Sequence, residues 1–181
     1  WQIFDEITPK VGLSYIENMN FAKIVDADNQ LASGIGGLTN GVSTLEMASG
    51  YATLYNDGVY RRTTCISSVY DGTGNIVFQY NPTSESKQVY KKKAANEMVD
   101  ILTSVFDGTA RGLAVDGFCA AKTGTTNDNK DSWFCGMTDD YSLAVWVGRD
   151  DGRTMGSGVS GAKYAGHIWN SYMKQVSKGG D

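Results

Sequence analysis

The sequence contains little proline and cysteine, no long apolar run and no excess of positive charge. It has 2 Pro and 3 Cys against 22 Gly in 181 residues, which excludes a disulfide-rich or collagen-like chain and favours a globular chain with many turns. No apolar stretch reaches the roughly 20 residues of a transmembrane helix, so we expect no membrane contact by this segment. With 16 Lys+Arg against 20 Asp+Glu, the chain lacks the basic surface typical of nucleic-acid binding.

The length and the first residues suggest a part of a larger unit. A chain of 181 residues with 41% hydrophobic content can form one sizeable core. It opens on Trp1 in a helix-like phrase, without an initiator Met or a signal-like segment. We therefore expect residues 1–181 to be one portion of a single domain, whose upstream half lies outside this sequence.

The three cysteines are too scattered for a disulfide framework or a Cys-x-x-Cys metal site. If residues 122–131 connect two adjacent strands, Cys119 and Cys135 could form a cross-strand disulfide. The alternative is that Cys65, Cys119 and Cys135 are all reduced, and that the buried ones act as small apolar side chains.

Apolar spacing and capping signals predict four helical regions. Ser43 and Glu46 have the Ser-x-x-Glu form of a capping box, and Leu45, Ala48 and Tyr51 follow on one predicted face. The triple lysine at 91–93 opposes a helix dipole, so the next helix should start after it. The predicted helical regions are 1–25 with breaks near Pro9 and Gly12, 44–56, 94–105 and 162–173.

Strand signals predict a hairpin and a three-stranded unit. The runs 65–70 and 75–80 enclose an Asp-Gly-Thr-Gly turn, and the polar segment 80–89 is predicted to be a loop. Strands are predicted at 118–123, 133–137 and 141–148, with a tight turn at 138–140. Together these elements predict an α+β fold, in which helices pack against an antiparallel sheet.

The segment Ala121–Thr126 contains the chemistry that stands out most. It reads Ala-Lys-Thr-Gly-Thr-Thr and follows the apolar run 117–120. Strand alternation sends Thr123 and Thr125 to one face and Lys122 and Gly124 to the other. A cationic strand edge with a glycine is suited to binding an extended, carboxylate-bearing chain by strand addition.

The order of several phrases resembles class A penicillin-binding proteins, which are bifunctional peptidoglycan synthases. Residues 36–54, GGLTNGVSTLEMASGYATL, resemble a helix-entry phrase of that family, and Lys-Thr-Gly at 122–124 resembles its third active-site motif. Further matches follow in the family's order at 108–110, 131–136, 144–148 and 165–169. The resemblance covers roughly residues 31–173 and implies the C-terminal part of a β-lactamase-like transpeptidase domain.

The resemblance also implies roles for individual residues. Lys122 would supply positive potential near the nucleophile and the substrate carboxylate. Thr123 and Thr125 would hydrogen-bond that carboxylate, and Gly124 and Thr126 would belong to the same substrate-binding segment. The Thr125 backbone N–H would be one of two oxyanion donors. The implied reaction is acyl transfer at a D-Ala-D-Ala stem peptide of peptidoglycan, inhibited by β-lactams and without a cofactor, on the outer face of a bacterial cell membrane.

Two of the family's three motifs are absent. The expected order is Ser-x-x-Lys, Ser-x-Asn and Lys-Thr-Gly, and no Ser-x-Asn occurs in this chain. Ser84 with Lys87 and Ser160 with Lys163 match Ser-x-x-Lys by spacing only. We expect the nucleophile to lie upstream of Trp1 and the chain alone to be inactive. The alternative is a non-catalytic binding or structural module that retains the strand and has lost the nucleophile.

Other motifs favour other functions less strongly. The residues around Lys122 lack the glycines of a nucleotide-binding P-loop, whereas 156–161 fit Gly-x-Gly-x-x-Gly without an adjoining strand. Cys135 and His167, the only histidine, leave a thiol hydrolase open. Loop acids at 128, 131, 139 and 140 lack the EF-hand pattern, and Trp133, Trp146 and Trp169 are predicted to be core residues.

Overall fold

A computed structural model of the chain describes residues 1–177. It contains five α-helices and seven strands, with short 3₁₀ segments and one π turn between them. In chain order these are α1 Gln2–Ile7, α2 Pro9–Glu17, α3 Thr44–Tyr55, β1 Val59–Arg61, β2 Ser68–Tyr70, β3 Ile76–Gln79, β4 Ser86–Gln88, α4 Lys92–Thr103, β5 Cys119–Thr125, β6 Asp131–Thr138, β7 Ser142–Gly148, the π turn Ala162–Gly166, and α5 His167–Val176.

The N-terminal helical region breaks once. Pro9 begins α2 in the first helical turn, where it removes no intrahelical hydrogen bond, and Thr8 before it has a φ of 70°. The predicted break at Gly12 is wrong, because Gly12 lies inside α2 and its missing side chain leaves room for the Phe4 ring. The prediction of helix up to residue 25 is also wrong, since α2 ends at Glu17.

Helix α3 begins at the predicted capping box. Ser43 Oγ accepts a hydrogen bond from the Glu46 amide, and the Glu46 carboxylate accepts one from the Ser43 amide. The predicted buried face is wrong at Leu45, which is exposed, whereas Ser49 and Thr53 are buried. Small side chains face inward because α3 packs closely against β6 and β7.

Two small antiparallel pairs lie outside the main sheet. The predicted hairpin is present as β2 and β3, closed at Asp71, whose carboxylate accepts hydrogen bonds from Thr73 and Asn75. The segment predicted to be a loop contains β4, which pairs with β1 through Tyr60 and Lys87. The loop prediction is wrong because β4 is polar, without an apolar strand pattern, and is stabilised by pairing with β1, which is distant in sequence.

Helix α4 starts earlier than its charges suggest. It begins at Lys92 instead of after the lysine triplet. The ammonium of Lys92 lies 2.8 Å from the carboxylate of Asp57, and this tertiary ion pair offsets the unfavourable dipole interaction at the helix start.

The main sheet has the strand order β5-β6-β7 and is antiparallel throughout. Helices α3 and α4 pack on one face, where Val99, Ala120 and Met137 form a buried cluster. Helix α5 packs on the opposite face, where Phe134 and Trp169 are fully buried. The predicted α+β architecture is therefore confirmed, with β5 at an edge of the sheet.

The cysteines are all free. Cys119 pairs with Thr138 in the β5–β6 register, whereas Cys135 pairs with Lys122. Because the two cysteines are out of register, the cross-strand disulfide is wrong and the reduced alternative is confirmed.

We expect Asp28→Asn to lower the thermal unfolding midpoint by roughly 5 °C at pH 7, because an amide N–H₂ would meet a backbone N–H. Asp28 is fully buried and accepts hydrogen bonds from the amides of Thr39 (2.7 Å) and Val25 (3.0 Å). The bonds from Thr39, and then the bond from Val25, hold the pKa of Asp28 below its ordinary value despite burial.

The sign of the pH dependence follows from that lowered pKa. The stabilisation is fully present above the ordinary Asp pKa of about 3.9 and is lost as the pH falls through the lower pKa of the folded state. Thermal unfolding between pH 7 and pH 2 measures it, with Asp26→Asn, at an exposed position, as the control. Equal midpoints for Asp28→Asn and the unsubstituted protein at pH 7 would contradict the prediction.

Candidate functional site

Strand β5 places the Lys-Thr-Gly segment on an open edge. It runs from Cys119 to Thr125 and, within the described residues, pairs on one side only, with β6. The sequence predicted that the strand ends at residue 123, but the ladder continues to the pair of Thr125 with Ser132. Lys122 and Thr125 are exposed, although Ala120 and Ala121 before them are fully buried.

The hydrogen-bond pattern fixes which backbone groups face outward. Thr126 N–H donates to the carbonyl of Asp131, directly opposite it in the register. In an antiparallel ladder, the N–H and C=O groups of every second residue face the neighbouring strand. The backbone groups of Gly124 and Lys122 therefore also face β6. The N–H and C=O groups of Ala121, Thr123 and Thr125 are therefore directed to the free edge.

The Lys122 ammonium lies at this edge. Its Nζ donates a 2.7 Å hydrogen bond to the outward carbonyl of Thr123. Among residues 1–177, no carboxylate lies within ion-pair distance of Lys122. The positive charge is thus available to an external anion.

Cys135 lies directly across the ladder from Lys122 and is buried against α3. Burial raises the pKa of the Cys135 thiol to about 12, and the nearby Lys122 charge offsets only part of that rise. Burial likewise raises the pKa of Tyr51 in the same region. His167 begins α5 on the opposite face of the sheet, so the Cys–His hydrolase hypothesis is wrong.

The threonine side chains lie on the α5 face, as strand alternation predicts. Thr123 Oγ1 donates to Thr109 Oγ1 at 3.1 Å. Thr125 Oγ1 accepts a hydrogen bond from the Gly161 amide at 2.9 Å. The sequence did not predict either contact, although Thr109 lies in the family-like phrase 108–110 and Gly161 lies in the glycine-rich run 156–161.

Thr126 and Gly124 complete the segment. Thr126 Oγ1 accepts hydrogen bonds from the amides of Lys130 and Asp131, both at 3.0 Å, so its hydroxyl closes the β5–β6 turn. A Cβ at Gly124 would lie 3.1 Å from Trp133 Cβ, so this pair is close-packed on the Lys122 face. That Gly124 and Thr126 take part in substrate binding remains a prediction.

Neither Ser-x-x-Lys pair is organised as a nucleophile with its base. Ser84 Oγ donates to the Asn81 carbonyl, whereas Lys87 Nζ binds Asn18. Ser160 Oγ accepts a hydrogen bond from the Lys163 backbone, and the Lys163 ammonium lies over the Tyr164 ring. No hydroxyl–ammonium hydrogen bond joins either pair in the part of the chain that the structure describes.

The remaining candidates have structural roles. Trp169 is fully buried as predicted, whereas Trp133 is half-buried and Trp146 is 36% exposed, with its Nε1–H bonded to Asp131. Across residues 1–177, no three His, Cys, Asp or Glu side chains are grouped as metal ligands. The glycine run 156–161 follows β7, which is antiparallel to its neighbour, so the dinucleotide-binding hypothesis is wrong.

Comparison with curated proteins identifies close relatives. The chain is 35% identical over 151 residues to penicillin-binding protein 4 of Bacillus subtilis (strain 168), covering 82% of this chain and 24% of that protein. It is 34% identical over 172 residues to penicillin-binding protein 1A of Neisseria cinerea, covering 92% of this chain and 21% of that protein. The chain thus spans about a quarter or less of the length of these relatives.

Solved structures share the fold. Penicillin-binding protein 1A from Haemophilus influenzae superposes with a TM-score of 0.79 at 23% identity, over 97% of this chain and 32% of that one. PonA1 from Mycobacterium tuberculosis, solved in complex with penicillin V, gives a TM-score of 0.75 at 28% identity, over 96% and 51%.

None of the helices within residues 1–177 has the length and apolarity needed to cross a membrane.

A further comparison identifies the domain family. Residues 14–174 match the penicillin-binding protein transpeptidase domain. This match covers most of the chain, and the chain therefore belongs to the transpeptidase domain family of penicillin-binding proteins.

Proposed function

We propose that this chain is the substrate-docking part of a D,D-transpeptidase that cross-links peptidoglycan stem peptides and is acylated by β-lactams. One observation carries the proposal: the exposed Lys122 ammonium and the outward Thr125 N–H lie on the same open edge of β5. The complex of the related PonA1 with penicillin V supports a β-lactam as ligand.

The free edge suits the binding step. An extended peptide can add to β5 through the outward groups of Thr123 and Thr125. Lys122 attracts the carboxylate at the peptide terminus, and its charge has no competing carboxylate among the described residues. The Thr125 hydroxyl, whose oxygen already accepts the Gly161 amide, retains a hydrogen to donate to that carboxylate.

The Thr125 N–H suits the chemical step. When a serine attacks the scissile carbonyl, negative charge develops on the carbonyl oxygen, and a fixed backbone donor stabilises it without reorganising. D-Alanine then leaves, and an amine of a second stem peptide takes the acyl group from the serine. The serine belongs to the upstream half of the domain, and the parent protein faces outward from the cell membrane.

We expect the chain alone to remain unlabelled by a fluorescent penicillin, while the parent protein containing the upstream half forms a covalent adduct. The reason is that neither serine–lysine pair in this chain is hydrogen-bonded as a nucleophile and its base. Fluorescence of denatured protein on a gel measures the adduct, and preincubation with unlabelled penicillin V is the control.

The result with the chain alone tests where the nucleophile lies, and the result with the parent protein tests the transpeptidase function. A labelled chain would place the nucleophile within residues 1–181. An unlabelled parent protein would overturn the transpeptidase proposal and would favour a non-catalytic binding module instead.

A further inference from the structure

Behind the docking edge, the backbone of Gly161 is in direct contact with β5. Its amide donates the 2.9 Å hydrogen bond to Thr125 Oγ1. A Cβ at Gly161 would lie 2.3 Å from the Trp133 carbonyl oxygen and 2.8 Å from both N and O of Gly124. Only a glycine fits at this distance from the backbone of the Gly124–Trp133 pair.

A second set of contacts holds Gly161 in this position. Ser132, fully buried on β6, donates through Oγ to the Ser160 carbonyl at 2.9 Å and accepts from the Ala165 amide at 3.3 Å. The π turn Ala162–Gly166 begins with a Gly166 N–H to Gly161 carbonyl hydrogen bond of 2.8 Å. Single π turns occur often at functional sites, and here the turn leads directly into α5.

We propose that Gly161 is a positioning residue for acyl transfer, acting through Thr125; this inference rests on the proposed transpeptidase function. The Gly161 amide occupies a lone pair of the Thr125 hydroxyl, so the hydroxyl hydrogen points away from Gly161. Donating neighbours also polarise such a hydroxyl. Thr125 is thereby set as a donor for an anionic ligand group.

The test uses the parent protein and two forms of one probe, a penicillin with a free carboxylate and its methyl ester. We expect Gly161→Ala to lower the second-order rate constant of acylation by the carboxylate form about tenfold, because the new methyl group forces the Gly161 amide away from the Thr125 hydroxyl. The ester should lose about threefold or less, since it offers Thr125 a weaker acceptor. Gly72→Ala, in the open β2–β3 turn, is the matched control.

Two further variants separate positioning from misfolding. Ser132→Ala loosens the same contact without a clash and should shift the carboxylate-to-ester ratio in the same direction. Adding Gly161→Ala to Thr125→Val should cause no further loss with the carboxylate form, because the hydroxyl through which Gly161 acts is already gone. Thermal unfolding of every variant establishes the folded fraction.

The outcomes that overturn the inference are distinct from failure of the proposed function. Equal loss with carboxylate and ester, an unchanged rate in folded Gly161→Ala, or additive losses in the double variant would each overturn it. If the unsubstituted parent protein is not acylated by the carboxylate form, the transpeptidase proposal fails and this inference fails with it.

Discussion

Replacement of Lys122 by Met in the parent protein is expected to lower the rate constant of acylation by penicillin about 100-fold, the scale of losing one preorganised electrostatic contact. Met retains much of the volume and removes the charge together with the ammonium's N–H donors. The expected loss is large because the Lys122 ammonium is the cation placed at the free edge of β5, next to the outward Thr123 carbonyl. Stopped-flow or quench measurements with a fluorescent penicillin give the rate constant.

Two control variants test whether the effect depends on the position of the charge and on the geometry of the cationic group. Lys93→Met removes an exposed charge on α4, where Lys93 pairs with Glu97, and should leave acylation unchanged. Lys122→Arg retains the charge in a planar fork and should lose less than Lys122→Met. Acylation of Lys122→Met within about twofold of the unsubstituted protein would rule out the electrostatic role.

Replacement of Trp169 by Ala is expected to reduce the free energy of unfolding by about 3–5 kcal/mol. Trp169 is the largest fully buried side chain, and its ring centroid lies 5.1 Å from that of Phe134 and 6.3 Å from that of Phe106. Its removal leaves a cavity between α5 and the sheet. Urea unfolding of the purified protein, followed by circular dichroism, measures the change.

Trp169→Phe provides the matched comparison. Within the described residues the Trp169 Nε1–H has no hydrogen-bond partner, so Phe sacrifices ring area and no hydrogen bond. We expect a loss of about 1 kcal/mol. If Phe were as costly as Ala, a hidden partner of the indole N–H would be indicated, and the cavity explanation would be wrong.

The strands that carry the site could be predicted from the sequence. Their β-branched and aromatic runs, the connection expected within 122–131 and the tight turn predicted at 138–140 are local signals, and the sheet of β5, β6 and β7 followed from them. The sequence also predicted a cationic strand edge at Lys122, because the Lys-Thr-Gly segment follows an apolar, strand-like run. The hairpin turn at Asp71 is likewise encoded locally.

What could not be predicted depends on distant contacts. Strand β4 is polar and exists because Tyr60 pairs with Lys87. The start of α4 is set by Asp57, which lies 35 residues before Lys92. Gly161 and Thr125 are 36 residues apart, and nothing in the glycine-rich run around Gly161 indicates this contact. The local sequence pattern therefore predicts where the helices and strands lie, but not the tertiary contacts between them.

The unpaired edge of β5 can promote self-association as well as bind a ligand. Unpaired strand backbone is a template for association with an identical strand of another molecule, and natural proteins often oppose this with a lysine placed at the border. The ammonium at position 122 stands at that border. Attraction of an anionic guest and repulsion between like molecules would then be two effects of one cation, and its neutralisation would weaken both together.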